Sequence, residues 1–194
     1  MRHKLVVLTE VWRFVPMKAL VAYFSRAGEN YSNGDVVKIE EGNTEVVAKK
    51  IAILTNGELF KIEQATPYSD DYYTCIEESK EHKAKNMRPE LVNCITSIDD
   101  YDIIYLGYPN YWNSLPRCIL SFIEKFDFTG KIIKPFCTHG GSGFGNSVEE
   151  LKAECKGAFI TKGLEITGTE AHGHDDDIVK WLEKTSKYHD VFSQ

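Results

Sequence analysis

The sequence lacks the marks of several large protein classes. Its five cysteines form no Cys-x-x-Cys pair and their count is odd, which argues against a disulfide framework or a thiolate metal site. No run approaches the roughly 18 apolar residues of a membrane span, and no G-x-x-x-x-G-K-[ST] motif indicates a Walker-type nucleotidase. The net charge of −6 leaves no basic footprint for nucleic acid. We therefore expect a cytoplasmic protein with reduced thiols and neither a nucleic-acid nor a membrane partner.

The 194 residues, 42% hydrophobic and 27% charged, fit one globular domain. Residues 1–16 form a broken apolar stretch with no small-residue cleavage site, so a signal peptide is not expected. Met17 stands directly before a clean strand pattern. We interpret residues 1–16 as an N-terminal extension, outside the core or upstream of the natural start, and residues 17–194 as a single domain.

Short apolar runs alternate with helical patterns along this domain. The runs predict strands over residues 19–24, 59–62, 103–108, 132–137 and 164–168. Helices are expected over residues 44–54, 70–85, 115–126, 148–155 and 176–187, the first with Asn43 as N-cap and Asn56 and Gly57 as its stop. This alternation predicts a parallel sheet with right-handed crossovers and helices on both faces.

Three strand ends have an unusual composition, and in open α/β sheets ligands bind beyond the carboxyl ends of the strands. The first is Ser25-Arg26-Ala27-Gly28, completed by Gly42-Asn43-Thr44 at the start of the first helix. Hydroxyl and amide side chains with free N–H groups at a helix N-terminus suit a phosphate monoester. An ordinary strand-to-helix turn favours the same residue types, so this loop alone does not identify a phosphate site.

The second strand end, residues 109–114, carries the adjacent aromatics Tyr111 and Trp112, which can bury a flat ring, plug the core or bind a partner. The third, residues 138–145, is rich in glycine, so its backbone can approach a ligand closely. It is not a dinucleotide fingerprint, because position 146 is Asn and the segment follows the fourth strand.

Taken in order, the three loops resemble those of short bacterial flavodoxin-like proteins, over roughly residues 17 to 185. The first loop resembles the family's Ser-Arg-x-Gly-Asn-Thr phosphate loop. Gly107-Tyr108-Pro109 with its aromatic pair and the 138–145 loop resemble the two isoalloxazine loops. The resemblance implies a flavodoxin-like three-layer sandwich, with a five-stranded parallel sheet of order 2-1-3-4-5 and FMN where the strand order reverses.

The resemblance also implies a role for each matching residue. The residues that would hold the phosphate, mainly through N–H and hydroxyl donors, are Ser25, Arg26, Ala27, Asn43 and Thr44. Those that would line the flavin ring, with Trp112 or Tyr111 stacked on it, are Pro109, Asn110, Tyr111, Trp112 and Asn113. Those that would wrap its pyrimidine side are Thr138, His139, Gly140, Gly141, Gly143 and Phe144.

The sequence departs from the family pattern in two places. An insertion over residues 29–41 splits the first loop; its Asn33-Gly34 turn signal and the alternation over residues 35–40 predict a small hairpin, beside the phosphate or over the flavin. Asn113 stands where the family often has Gly. Asn tolerates left-handed backbone, so we expect the turn to survive.

Other residues admit two interpretations. His172, His174 and the acidic residues 175–177 are of the types that bind a metal. We favour the interpretation that they mark the start of a helix, because acidic side chains there interact favourably with the helix dipole. His139 either passes a proton near the flavin or is a loop residue whose backbone alone matters. Tyr72 and Tyr73 either begin a helix or approach the flavin edge.

The resemblance implies an electron carrier between a reductase and an acceptor protein. An NAD(P)H-dependent quinone or FMN reductase uses the same fold and remains an alternative, as does a cofactor-free interaction domain. The expected partners are thus redox proteins or a small quinone, and the expected state is a monomer or homodimer.

Overall fold

The computed structural model describes residues 17–192, so the predicted extension over residues 1–16 lies outside the described part. The strands are β1 (Ala19–Tyr23), β2 (Gly28–Ser32), β3 (Asp35–Ile39), β4 (Glu58–Lys61), β5 (Ile103–Pro109), β6 (Ile132–His139), β7 (Phe159–Ile160) and β8 (Leu164–Thr167). The helices are α1 (Asn43–Thr55), α2 (Tyr72–Ala84), α3 (Arg117–Ile123), α4 (Ser147–Glu154) and α5 (Asp175–Phe192). None of these helices has the length and apolar character needed to cross a bilayer.

The main sheet is parallel and has the order β4-β1-β5-β6, followed by β7 and β8, which lie end to end along the outer edge of β6. The predicted order 2-1-3-4-5 is confirmed, but the fifth position holds two short strands where one was predicted. Residues 161–163 belong to neither of these two strands. There the Lys162 carbonyl accepts a hydrogen bond from the Trp181 indole, 2.9 Å away, and a Cβ on Gly163 would lie 2.3 Å from the Phe144 ring.

The central strands read as continuous apolar runs because both of their faces are buried. Leu20 and Ile104 pack on one face with α3 and α4, and Val21 packs on the other with α1 and α5. Helices on both faces give the predicted three layers. The layered packing also brings the carboxyl ends of β1, β5 and β6 to one edge, where the three candidate loops begin.

Helix boundaries differ from expectation by one to five residues, and two of the differences change how a helix begins. Gly42, not Asn43, is the N-cap of α1, and Asn43 is its first helical residue. Helix α3 is confined to Arg117–Ile123, with Pro116 before it rather than inside its first turn. The predicted end of α1 is confirmed, because Asn56 adopts a left-handed φ of 50° there.

The insertion in the first loop folds as an antiparallel hairpin of β2 and β3. Ser32 pairs with Asp35, so the turn has two residues, Asn33 and Gly34, with φ of 50° and 101°. Positive φ at both positions is the geometry that Asn-Gly favours in two-residue hairpins. The predicted hairpin is therefore confirmed.

Candidate functional site

The three candidate loops converge on one cleft of about 480 Å³ at the carboxyl ends of the strands. The first loop contributes Arg26 and Asn43 to its lining. The second contributes Pro109, Asn110, Tyr111 and Trp112, and the third Thr138, His139 and Gly140. Nine of the sixteen candidate residues thus meet in one place, and the other seven, Ser25, Ala27, Thr44, Asn113, Gly141, Gly143 and Phe144, do not line the cleft.

Part of the lining comes from residues that the loops did not indicate. One wall is a stripe along α2, formed by Tyr72, Cys75, Ile76 and Ser79. These residues stand at positions i, i+3, i+4 and i+7, which lie on one face of a helix, and this spacing is visible in the sequence. Burial raises the pKa of the Cys75 thiol, so this thiol contributes to the wall in its neutral form. Further lining residues are Asn30, Tyr31, Ser142 and Gly168.

The first turn of α1 presents a group of hydrogen-bond donors. Ser25 Oγ accepts a hydrogen bond from the Glu45 N–H at 3.1 Å. The N–H groups of Asn43 and Thr44 lie in the first turn, where no carbonyl of the helix is in position to accept from them. The hydroxyls of Thr44 and Thr138 are buried and 2.7 Å apart. A pair of hydroxyls uses one hydrogen between them, which leaves the other to donate to a ligand. These donors and the helix dipole favour a negative charge at this point.

The Arg26 side chain is engaged within the protein. Its guanidinium donates to the carbonyls of Ser69, at 2.9 Å, Asp70, at 3.1 Å, and Glu29. These bonds join the base of the hairpin to the segment before α2. Arg26 therefore fixes the shape of the cleft wall through its side chain.

The second loop turns through two consecutive left-handed residues, Trp112 and Asn113, each with φ of 58°. The expectation that Asn113 preserves this turn is confirmed. A left-handed conformation is costly for a bulky residue, and the Trp112 backbone and ring are both held: its carbonyl accepts from Lys83 Nζ at 2.5 Å and its indole N–H donates to Ser79 Oγ at 3.1 Å.

The two adjacent aromatics of this loop occupy different environments. Tyr111 packs edge-on against Phe24 and Tyr68, with ring centroids 6.2 and 5.8 Å away, and burial raises the pKa of its hydroxyl. Trp112 lines the cleft while 41% exposed. Trp112 is thus the ring with area free to stack on a ligand, and Tyr111 belongs to the aromatic packing below it.

The second and third loops are joined to each other. The Asn110 side-chain amide donates to Ser142 Oγ at 2.9 Å and to the Gly143 carbonyl at 2.6 Å. The Asn146 N–H donates to the Asn113 carbonyl at 2.9 Å. Within the third loop, His139 Nδ1 accepts from the Gly141 N–H at 2.9 Å. The loops therefore hold their relative positions through internal hydrogen bonds.

A buried ion pair supports the second loop from behind. Arg117, whose side chain is 5% exposed, lies 2.6 Å from Glu150 Oε1. Glu150 Oε2 accepts from the Ser114 hydroxyl at 2.8 Å and the Leu115 N–H at 2.9 Å. Burial raises the pKa of Glu150, but the hydrogen bonds from Leu115, Ser114 and Arg117 outweigh it and hold the pKa below its ordinary value. Glu150 is consequently an anion that positions the end of the loop.

Phe144 and His174 do not line the cleft and have partners elsewhere. Phe144 packs against Tyr108, with ring centroids 6.3 Å apart, and lies over Gly163. His174 sits between Asp177, at 2.7 Å, and Glu170, at 3.1 Å, and its hydrogen bond to Asp177 is the main cause of its raised pKa. Within residues 17–192, no group of three or more His, Cys, Asp or Glu residues is arranged to hold a metal ion.

The chain belongs to the flavodoxin family, whose model matches residues 18–185. A protein from Bacteroides uniformis, provisionally described as a flavoprotein, is 30% identical, with a TM-score of 0.68 over 87% of this chain and 99% of that one. Its counterpart from Bacteroides eggerthii is also 30% identical, with a TM-score of 0.70 over 86% and 96% of the two chains.

A more distant structure shares the fold alone. It is a flavoprotein from Lactobacillus acidophilus in complex with FMN, 18% identical, with a TM-score of 0.57 over 79% of this chain and 95% of that one. No protein with a curated description matches the sequence.

Proposed function

We propose that this protein binds FMN in the cleft and acts in electron transfer. The observation that carries the proposal is the convergence of three separate loops on one cleft, at the edge of the sheet where α/β folds bind ligands. The cleft joins an anion site at the start of α1 to an open indole face at Trp112. A phosphorylated flat ring system has both matching parts.

The residues present fit FMN. The N–H groups of Asn43 and Thr44 would bind the phosphate together with the hydroxyl pair of Thr44 and Thr138, in which Thr138 lines the cleft and Thr44 lies behind it at 2.7 Å. Trp112 would stack on the ring, and backbone groups around Gly140 would face its polar edge. A Cβ on Gly42 would lie 2.2 Å from Ser25 Oγ, which shows how closely the two halves of the phosphate loop pack.

FMN supplies one- and two-electron chemistry when bound, and the protein orients it and limits its contact with water. The cleft is lined by preformed loops, and the sequence carries no recognisable pyridine-nucleotide motif. We therefore favour carriage of electrons from a reductase to an acceptor protein over NAD(P)H-dependent reduction of a quinone or of FMN.

Absorbance of the purified protein and titration of its apoprotein test this proposal. We expect flavin bands, one FMN per chain, and weaker binding of riboflavin, by about tenfold or more, because riboflavin lacks the phosphate. A colourless protein that binds neither would support the cofactor-free alternative. Steady NADPH oxidation with a quinone, without an added reductase, would overturn carriage in favour of the reductase alternative.

We expect Thr44→Ala to weaken FMN binding by about 1–3 kcal/mol, because it removes a hydroxyl that hydrogen-bonds a charged group. Titration of the apoprotein with FMN measures the change. Thr44→Ser keeps the hydroxyl and should bind FMN nearly as the wild type does. Riboflavin binding should change little in either variant; equal losses for both ligands would place Thr44 outside the phosphate site.

We expect Trp112→Ala to weaken FMN binding by about 1–3 kcal/mol, the range of aromatic stacking on flat heterocycles, and to shift the flavin potential. Trp112→Phe retains a ring and should lose less. Titration and a redox titration of the same samples measure both effects. If neither value changes, the stacking role belongs to another aromatic residue of the cleft.

A further inference from the structure

The base of the inserted hairpin is fixed to the segment that leads into α2. The Glu29 N–H donates to the Asp70 carbonyl at 2.9 Å, and the Glu29 carboxylate accepts from the Tyr72 N–H at 3.1 Å. The Arg26 guanidinium binds carbonyls on both segments. These bonds hold the start of β2 in one place relative to α2, so the hairpin is a fixed wall of the cleft.

Tyr31 lies in the second half of β2, and its ring is placed between α2 and the third loop. Its ring is stacked near Tyr72 of α2, with centroids 6.4 Å apart and planes at 26°. On the other side, its Cδ1 lies 3.4 Å from the position of a Cβ on Gly140. The side chain is 45% exposed. It therefore stands at the mouth of the cleft, in contact with solvent.

Tyr31 also separates the cleft from a second cavity. This cavity measures about 310 Å³ and is lined by Asn33, Gly34 and Thr167, while Tyr31, His139 and Gly140 line both spaces. Loss of the Tyr31 ring would join the two spaces. The opening of the cleft would then be wider by the space that the ring occupies.

We propose that Tyr31 excludes hydride donors of the dihydronicotinamide class from the FMN in the cleft, so that the protein accepts electrons singly. The inference rests on the proposed function. A dihydronicotinamide loses a hydride, two electrons with one proton, and becomes a nicotinamidium cation, while FMN is reduced by taking up that hydride. Such transfer needs the two rings face to face at contact distance, whereas single electrons pass without such contact.

The test compares two electron donors on FMN-loaded protein without oxygen. N-Benzyl-1,4-dihydronicotinamide donates a hydride, and reduced methyl viologen donates one electron. In Tyr31→Ala we expect reduction by the hydride donor to accelerate about tenfold or more, because the face becomes accessible, with the viologen rate changed less than about twofold. Stopped-flow mixing of apoprotein with FMN gives an independent readout: FMN should associate faster with Tyr31→Ala.

Two variants serve as controls. Tyr31→Phe keeps the ring and should behave as the wild type does. Tyr73→Ala removes a ring of the same size, 69% exposed, that does not line the cleft, and it should also react as the wild type. An unchanged hydride rate in Tyr31→Ala, or a wild-type rate equal to that of free FMN, would overturn this inference alone. Failure of the wild-type apoprotein to bind FMN would overturn the proposed function and this inference with it.

Discussion

Replacement of Arg117 by alanine is expected to destabilise the fold by about 3–5 kcal/mol, the cost of leaving a buried charge without its partner. Arg117 is almost fully buried, and besides Glu150 it binds the Leu115 carbonyl at 2.8 Å and Asn86 Oδ1 at 3.2 Å. Its loss leaves the Glu150 carboxylate with two neutral donors. Urea unfolding, with the slope m compared between variants, measures the loss.

A second ion pair of this chain provides the matched control. Arg88 Nε lies 2.5 Å from Glu124 Oε1, but the side chains are 29% and 40% exposed. Arg88→Ala should therefore cost no more than about 1 kcal/mol. The double variant Arg117→Met/Glu150→Met removes both charges and should recover most of the stability. Equal losses in Arg117→Ala and Arg88→Ala would show that burial of the first pair has no energetic consequence.

Gly42→Ala is expected to weaken FMN binding by about a hundredfold, or about 3 kcal/mol. The backbone φ of Gly42 is −69°, which alanine adopts freely, so the effect is one of space. A Cβ would lie 2.6 and 2.8 Å from the carbonyl oxygen and carbon of Arg26. The Ser25 hydroxyl can rotate away, but the Arg26 backbone cannot, so residues 25–28 and residues 42–44 of the first loop must separate.

The same variant should also lose about 1–3 kcal/mol of folding stability through overpacking. FMN titration and urea unfolding measure the two effects. Gly173→Ala is the control, because its backbone is not left-handed and its Cβ would meet only the Glu170 carbonyl, at 3.7 Å. It should change neither value. Wild-type FMN affinity in Gly42→Ala would place the phosphate away from the start of α1.

Features set by neighbouring residues were predictable from sequence. The apolar runs gave the central strands, because burial on both faces leaves no alternation. Asn33 with Gly34, and Asn56, marked turns because few residues adopt left-handed backbone without strain. The three loops could be placed at one edge because parallel strands share their direction.

Features that depend on distant contacts were not predictable. The fifth strand is interrupted because the Trp181 indole takes the Lys162 carbonyl. Gly42 replaces Asn43 as the N-cap because Ser25, far along the chain, supplies the Glu45 N–H with an acceptor. The Arg26 side chain turns to carbonyls that only the folded chain brings near it. For the α2 stripe, the spacing was visible in the sequence, but the cleft that the stripe lines was not.

The free end of the hairpin offers a site for covalent attachment. A Cβ on Gly34 would have no atom within 4 Å, while the base of the hairpin is bonded to the segment before α2. Loop tips of this kind tolerate inserted sequence. A redox module joined at Asn33 and Gly34 through short flexible linkers would remain at an effective concentration of about millimolar beside the cleft. Electron delivery would then become independent of dilution, since donor and acceptor would travel as one molecule.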